Sequence, residues 1–235
     1  MHKIPDNLVE VVDSVYSAAD SAGRKRNEIT ILAVSKTQSA GAIQVAYDAG
    51  QRHFGENYVQ EALSKIAQLK ALPIIWHFIG PVQSNKTQGI AANFSWVHSV
   101  DRLKIAQRLN DQRPEKLPPI NICLQINIDA EATKAGMSPQ EALMAAADIA
   151  ALPRVNLRGL MAIPNPAGDP RDAFARLRIL ARQIETCTNV KLDTLSMGMS
   201  ADLAAAIAEG ATIVRVGTGI FGERGRGTAP SRTKR

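Results

Sequence analysis

One pattern limits what this chain can fold into more than any other. Short apolar runs near residues 29–35, 51–55, 74–80, 95–99, 119–128, 155–163, 192–197 and 211–216 alternate with amphipathic stretches, among them Ala40 to Ala49, Asn57 to Leu69, Asp101 to Gln112, Pro139 to Leu152 and Pro170 to Cys187. Short apolar runs bounded by turn residues read as strands, and apolar spacing near 3.6 residues reads as helix. Eight strands with seven crossovers, preceded by a helix over about residues 5–22, predict a single (β/α)8 barrel of the α/β class with an extra N-terminal helix. An open doubly wound sheet is the alternative. The 235 residues suit one such barrel and suffice to bury a core. The Pro-containing segments 113–119 and 164–170 are of loop length, so no linker divides the body, expected to span residues 1–223.

A net charge of +6 raises the question of a nucleic-acid partner. Five cations, Arg224, Arg226, Arg232, Lys234 and Arg235, lie at the end of the chain against Glu223 alone, a local balance of +4. Residues 224–235 carry no apolar periodicity and read as a basic, disordered tail. The rest is near neutral, and aromatics are 4% of the chain, too few for a base-stacking surface. No apolar run approaches the roughly 20 residues of a membrane helix, and the N-terminus lacks the pattern of a secretory signal. Cys123 and Cys187 are explained without a disulfide by a reducing compartment. The expectation is a cytoplasmic protein with neither a nucleic-acid nor a membrane partner. His2, His53, His77 and His98 are scattered without metal-ligand spacing, so no metal is expected.

In a barrel the C-terminal ends of the strands form the active face. Lys36 closes the first run, Ile31 to Thr37, and so brings a primary amine to that face. Ser196-Met197-Gly198-Met199-Ser200 and Val214-Arg215-Val216-Gly217-Thr218-Gly219 bring hydroxyls, glycines and one arginine to the same face from the other end of the chain. An amine condenses with an aldehyde only when unprotonated, a state that a partly dry pocket favours. Gly217, Thr218 and Ser200 offer a phosphate close backbone approach and hydroxyl donors. Amine and anion-binding loops together point to covalently held pyridoxal phosphate (PLP). On that reading Arg215 is diagnostic, because an arginine beside the pyridine nitrogen can only donate and disfavours its protonation. Such a site suits a holder of the cofactor, or a racemase, better than a transaminase. Taken singly, each signal also has a plain reading: a solvated lysine, an ordinary turn, a surface ion pair.

Six blocks carry a closer resemblance: Ala33-Val34-Ser35-Lys36-Thr37, Phe54-Gly55-Glu56-Asn57-Tyr58-Val59-Gln60-Glu61, the run from Trp76 to Lys86, Gly159-Leu160-Met161-Ala162-Ile163, Ser196 to Ser200, and Val214 to Thr218. In this order, over about residues 5 to 223, the chain resembles the pyridoxal phosphate homeostasis proteins. That resemblance implies one barrel similar to the N-terminal domain of alanine racemase, with PLP as a Schiff base on Lys36. It further implies that Ser200, Gly217 and Thr218 hold the phosphate, that Arg215 faces the pyridine nitrogen and that Asn57 lies beside the ring. The implied role is a carrier or buffer in vitamin B6 homeostasis, with effects on amino-acid pools and no established catalytic residue. Transient partners would be PLP-dependent apo-enzymes.

The main rival is a PLP-dependent amino-acid racemase. It needs a second base opposite the lysine, and Tyr16, Tyr47 and Tyr58 are the only tyrosines, of which Tyr58 alone follows a pocket turn. A third reading is a regulatory module that signals PLP occupancy to a partner. His77 reads equally as a core residue or a pocket residue, and Lys134, after the fifth strand, as a second transient amine. Without the second domain of the racemases, the chain is expected to be a monomer.

Overall fold

Eight short strands rich in Ile, Val, Leu and aromatic residues form the centre of the molecule, as expected for parallel strands covered on both faces. The computed structural model describes residues 3–131 and 133–222; the basic tail expected at 224–235 lies outside the described residues. In chain order the elements are α1 (Ile4–Ser21), β1 (Thr30–Val34), α2 (Ala40–Asp48), β2 (His53–Glu56), α3 (Val59–Gln68), β3 (Ile75–Phe78), α4 (Thr87–Asn93), β4 (Trp96–Val100), α5 (Leu103–Gln112), β5 (Ile120–Gln125), α6 (Pro139–Ala150), β6 (Val155–Met161), α7 (Pro170–Thr188), β7 (Thr194–Met199), α8 (Leu203–Ala208), β8 (Ile213–Val216) and α9 (Thr218–Phe221).

The strands close into one barrel in sequence order, and every pair is parallel. Closure is made by β1, where Ala33 pairs with Phe54 of β2 on one side and with Val216 of β8 on the other. Phe54, Phe78, Phe94, Leu32, Ile122 and Leu124 are fully buried, and each such side chain stabilises the fold by about 1.5–3 kcal/mol. Ser39 caps α2 by accepting from the Ala42 N–H, and Ser138 with Glu141 forms a capping box at α6.

The extra helix α1 lies outside the barrel against α8 and α9. Its buried stripe is Ile4, Leu8, Val15 and Ala19, and the Asn7 amide donates to the Ile220 carbonyl at 3.0 Å. Arg24 then ties the chain back to α8, donating to the carbonyls of Ile207 and Ala211. This places α1 behind the segment that leaves β8.

Two glycines shape the upper rim. A Cβ on Gly80 would run into the main-chain carbonyl of Asn57, so only glycine lets the β3 exit lie against the β2 exit. Gly198 has φ +93°, and a Cβ there would lie 2.5 Å from the Ala206 side chain. The pairing of β7 with β8 shifts register between Ser196 and Met199, across this glycine.

Candidate functional site

The strand exits converge on one cavity of about 300 Å³. Lys36, Asn57, Ser200, Arg215, Gly217 and Thr218 all line it, brought there from β1, β2, β7 and β8. Its apolar lining includes Ile79, Met161, Ile163 and Met199. Ile163 is 43% exposed and Met199 40% exposed, large apolar surface that a flat ligand would cover.

Around Lys36 the main chain is held by a buried charged cluster. The Lys65 ammonium, on α3, donates to the Ser35 carbonyl at 2.8 Å, to Glu56 Oε1 at 2.9 Å and to Glu61 Oε1 at 2.5 Å. Glu61 Oε1 also accepts the Thr37 N–H at 2.6 Å, and the Ser35 hydroxyl donates to Glu56 Oε1 at 2.6 Å. Burial pushes the Glu56 carboxyl above its ordinary range, against the opposing pull of the Lys65 and Ser35 donors. Thr37 itself has φ +65°, a left-handed conformation that is costly for a non-glycine residue.

Arg215 is 95% buried, and three of its five N–H groups are committed to the barrel. Nη1 donates to the carbonyl of Ser196 at 2.6 Å and to its hydroxyl at 3.0 Å, while Nη2 donates to the Ala162 carbonyl at 3.0 Å. Among the described residues, the other two N–H groups are left uncommitted. Burial lowers the guanidinium to about 10, so it stays cationic at neutral pH.

Behind Arg215 runs a chain that crosses the barrel. Ser196 Oγ lies 2.7 Å from His98 Nδ1, His98 Nε2 lies 2.8 Å from His77 Nδ1, and His77 Nε2 lies 3.0 Å from His53 Nδ1. Because β4 and β7 are not neighbours, the His98 to Ser196 bond spans the interior. His77 is therefore a core residue, 1% exposed, rather than a pocket residue. Of the four histidines that look scattered in sequence, His53, His77 and His98 belong to three successive strands, β2, β3 and β4, and His2 lies outside the described residues. One histidine per consecutive strand is the signal that a search for metal-ligand spacing passes over. The rings bond one to the next, and among the described residues no cluster of three or more His, Cys, Asp or Glu could hold a metal.

Also in the cavity lining, Gly217 precedes the first turn of α9, whose leading N–H groups have no partner within the helix. Gly217 does not occupy the left-handed region. A Cβ there would sit in ordinary contact with Val34, 3.4 Å from its carbonyl, on the cavity wall. Ser200 and Thr218 are both exposed on that wall.

Other residues singled out in the sequence lie elsewhere. Tyr58, 57% exposed, lines a neighbouring groove with Asn57, Gln83 and Lys86 but not the Lys36 cavity. Tyr16 and Tyr47 pack against the core. Lys134 pairs with Glu131 at 2.5 Å and donates to the Pro164 carbonyl at 3.2 Å, outside the cavity lining. No helix among the described residues is long and apolar enough to cross a membrane.

Comparison with known proteins gives a consistent set of relatives. Residues 16–225 match the family described as alanine racemase, N-terminal domain. The pyridoxal phosphate homeostasis protein of Pseudomonas aeruginosa is 54% identical over 234 residues, covering 98% of this chain and all of that protein. Its counterpart in Escherichia coli is 51% identical, covering 95% of this chain and 98% of that protein. Among solved structures, PipY of Synechococcus elongatus with PLP bound is 37% identical with a TM-score of 0.81, covering 93% of this chain and all of that chain. An alanine racemase of Clostridium difficile is 12% identical with a TM-score of 0.69, a likeness of fold that covers 91% of this chain and 56% of that one.

Proposed function

From the premise that this chain belongs to the pyridoxal phosphate homeostasis protein family, we propose that it binds PLP covalently through Lys36 and acts as a carrier or buffer of the cofactor. The observation that carries this reading is that a lysine amine, two hydroxyls and a helix start share one cavity with a buried arginine. When bound, PLP supplies an electrophilic aldehyde and an anionic phosphate.

The residues fit that group in shape and in chemistry. Asn57 lines the cavity, and its Oδ1 is buried without a hydrogen-bond partner among the described residues. Exposed Ile163 and Met199 offer apolar surface to a ring. The absent side chain of Gly217 leaves room for a phosphate beside Thr218, whose hydroxyl and first-turn N–H groups donate, with Ser200 as a second hydroxyl. Arg215 can only donate, so its free N–H groups disfavour a proton on the ring nitrogen.

Carrying is favoured over racemisation by what lines the cavity. Among the described residues no tyrosine does, so Lys36 has no second base of the kind a racemase uses. On this reading the partners are PLP and, transiently, PLP-dependent apo-enzymes, and the protein is a monomer. Its exposed, unpaired Cys187 suits a reducing cytoplasm.

The test is transfer. Protein loaded with PLP and freed of excess cofactor is mixed with a PLP-depleted transaminase, and both regained transaminase activity and racemisation of amino acids by the loaded protein alone are followed. Reactivation without racemisation supports the carrier; racemisation makes the protein an enzyme.

A further inference from the structure

We propose that Glu61 and Lys65 are positioning residues that hold the Lys36 main chain so that its amine captures the aldehyde. This rests on the reading that Lys36 is the covalent residue.

The geometry is specific to that lysine. The main-chain contacts of Lys65 and Glu61 both fall on its immediate neighbours: Lys65 Nζ on the Ser35 carbonyl at 2.8 Å, and Glu61 Oε1 on the Thr37 N–H at 2.6 Å. Lys36 itself is untouched, since among the described residues its amine makes no hydrogen bond or ion pair. The cluster thus fixes the backbone on either side and leaves the amine free in the cavity.

Thr37 shows that the turn needs holding. Its φ of +65° is uncommon for a threonine, and such a conformation persists where the surroundings over-determine it. Here they do: the Thr37 N–H is held by Glu61, Glu61 by Lys65, and Lys65 by Glu56 and the Ser35 carbonyl. Three acceptors use all three ammonium donors of Lys65.

Stability alone is a poor reason for this arrangement. Lys65 is 4% exposed and Glu56 is fully buried, and a buried ion pair of this kind often stabilises no better than apolar residues of similar volume. Its distinguishing property is directional hold, here applied to the two peptide units that flank the reactive side chain.

The test separates capture from binding. Absorbance stopped-flow gives the rate at which apo-protein captures PLP covalently, and calorimetry gives the affinity for pyridoxine 5′-phosphate, which lacks the aldehyde and so reads the rest of the pocket. Glu61→Ala, which removes the acceptor of the Thr37 N–H, should slow capture about ten-fold or more and leave pyridoxine phosphate affinity within about two-fold. Glu61→Gln, which keeps an acceptor oxygen, should recover most of the rate. Lys65→Met should behave as Glu61→Ala does, and if it fails to fold, the partly exposed Glu61 pair decides. Capture by Glu61→Ala at the wild-type rate, or equal losses of capture and pyridoxine phosphate affinity, would overturn the proposal. Borohydride reduction of wild-type protein in parallel reads the underlying assumption. An adduct on Lys36 with unchanged rates sinks the clamp alone, and no adduct there sinks the reading beneath it.

Discussion

The Ser196 hydroxyl bonds His98 Nδ1 at 2.7 Å across the barrel interior while it accepts from Arg215 at 3.0 Å. Arginine only donates, so the Ser196 hydroxyl is the acceptor in that pair; along the histidines each ring nitrogen meets one of the next ring, one donating and the other accepting. Each histidine is neutral at neutral pH, because burial lowers all three, and Arg215 is the one charge on the chain.

This arrangement makes the protein acid-sensitive. Burial, with Arg215 as the next cause, lowers His98 to about 3; burial holds His77 well below the ordinary value of 6.5 and lowers His53. The unfolded chain takes up protons as pH falls through about 6.5, while the folded chain does so at lower pH, far lower for His77 and His98. The unfolded state binds more protons in that window, so stability is complete above about pH 6.5 and declines towards pH 3. Glu56, raised in the fold, works in the opposite direction. Comparing melting temperature against pH for wild type and His77→Gln isolates the histidines: the variant should be less stable at pH 7.5 and show a shallower fall between pH 6.5 and 4.5. Parallel curves would contradict the neutral chain.

Removing the guanidinium should be felt in both stability and spectrum. Arg215→Gln deprives buried acceptors on Ser196 and Ala162 of their donors, each at a cost of about 1–3 kcal/mol. Urea unfolding of the apo-protein should register that loss. With PLP bound, the absorption band should also change, because the ring nitrogen gains access to a proton.

Gly80→Ala should be among the most damaging small substitutions. The added methyl meets a main-chain oxygen of Asn57 rather than a side chain able to turn away, and overpacking costs about 1–3 kcal/mol or more. The same clash displaces the Asn57 turn, so PLP affinity should fall together with melting temperature.

Ser200→Ala and Thr218→Val separate binding from folding. Both residues are exposed on the cavity wall, so apo-protein stability should change by less than about 0.5 kcal/mol. A lost hydrogen bond to a charged group is worth about 1.5–3 kcal/mol, hence a loss of roughly ten-fold or more in affinity for PLP by equilibrium dialysis.

Local rules read the frame well and the interior poorly. The run expected at 29–35 is β1 at Thr30–Val34, and the helix expected at Pro170 to Cys187 is α7 at Pro170–Thr188, because long periodic segments and turn residues carry those boundaries. Lys36 and Arg215 were placed on one face by the rule that strand exits converge, and one cavity does contain both. The same rule brings the Gly55-Glu56-Asn57 turn to that face, where Asn57 lines the cavity, while a place for Asn57 beside the ring comes from resemblance. The Glu61 and Lys65 pair, four residues apart, reads in sequence as a solvated helix face; only packing of α3 over the β1 exit buries its lysine. The chain through His53, His77 and His98 leaves only the trace of one histidine per consecutive strand, being built from bonds between strands.

The most direct test of the central claim is to reduce the PLP-treated protein with borohydride and map the modified residue by mass spectrometry, with Lys36→Ala alongside. The account predicts a pyridoxyl adduct on Lys36 in the wild type and none at the bound-cofactor site in a variant that still folds. An adduct on another lysine alone, or a variant that retains the wild-type spectrum, would contradict it.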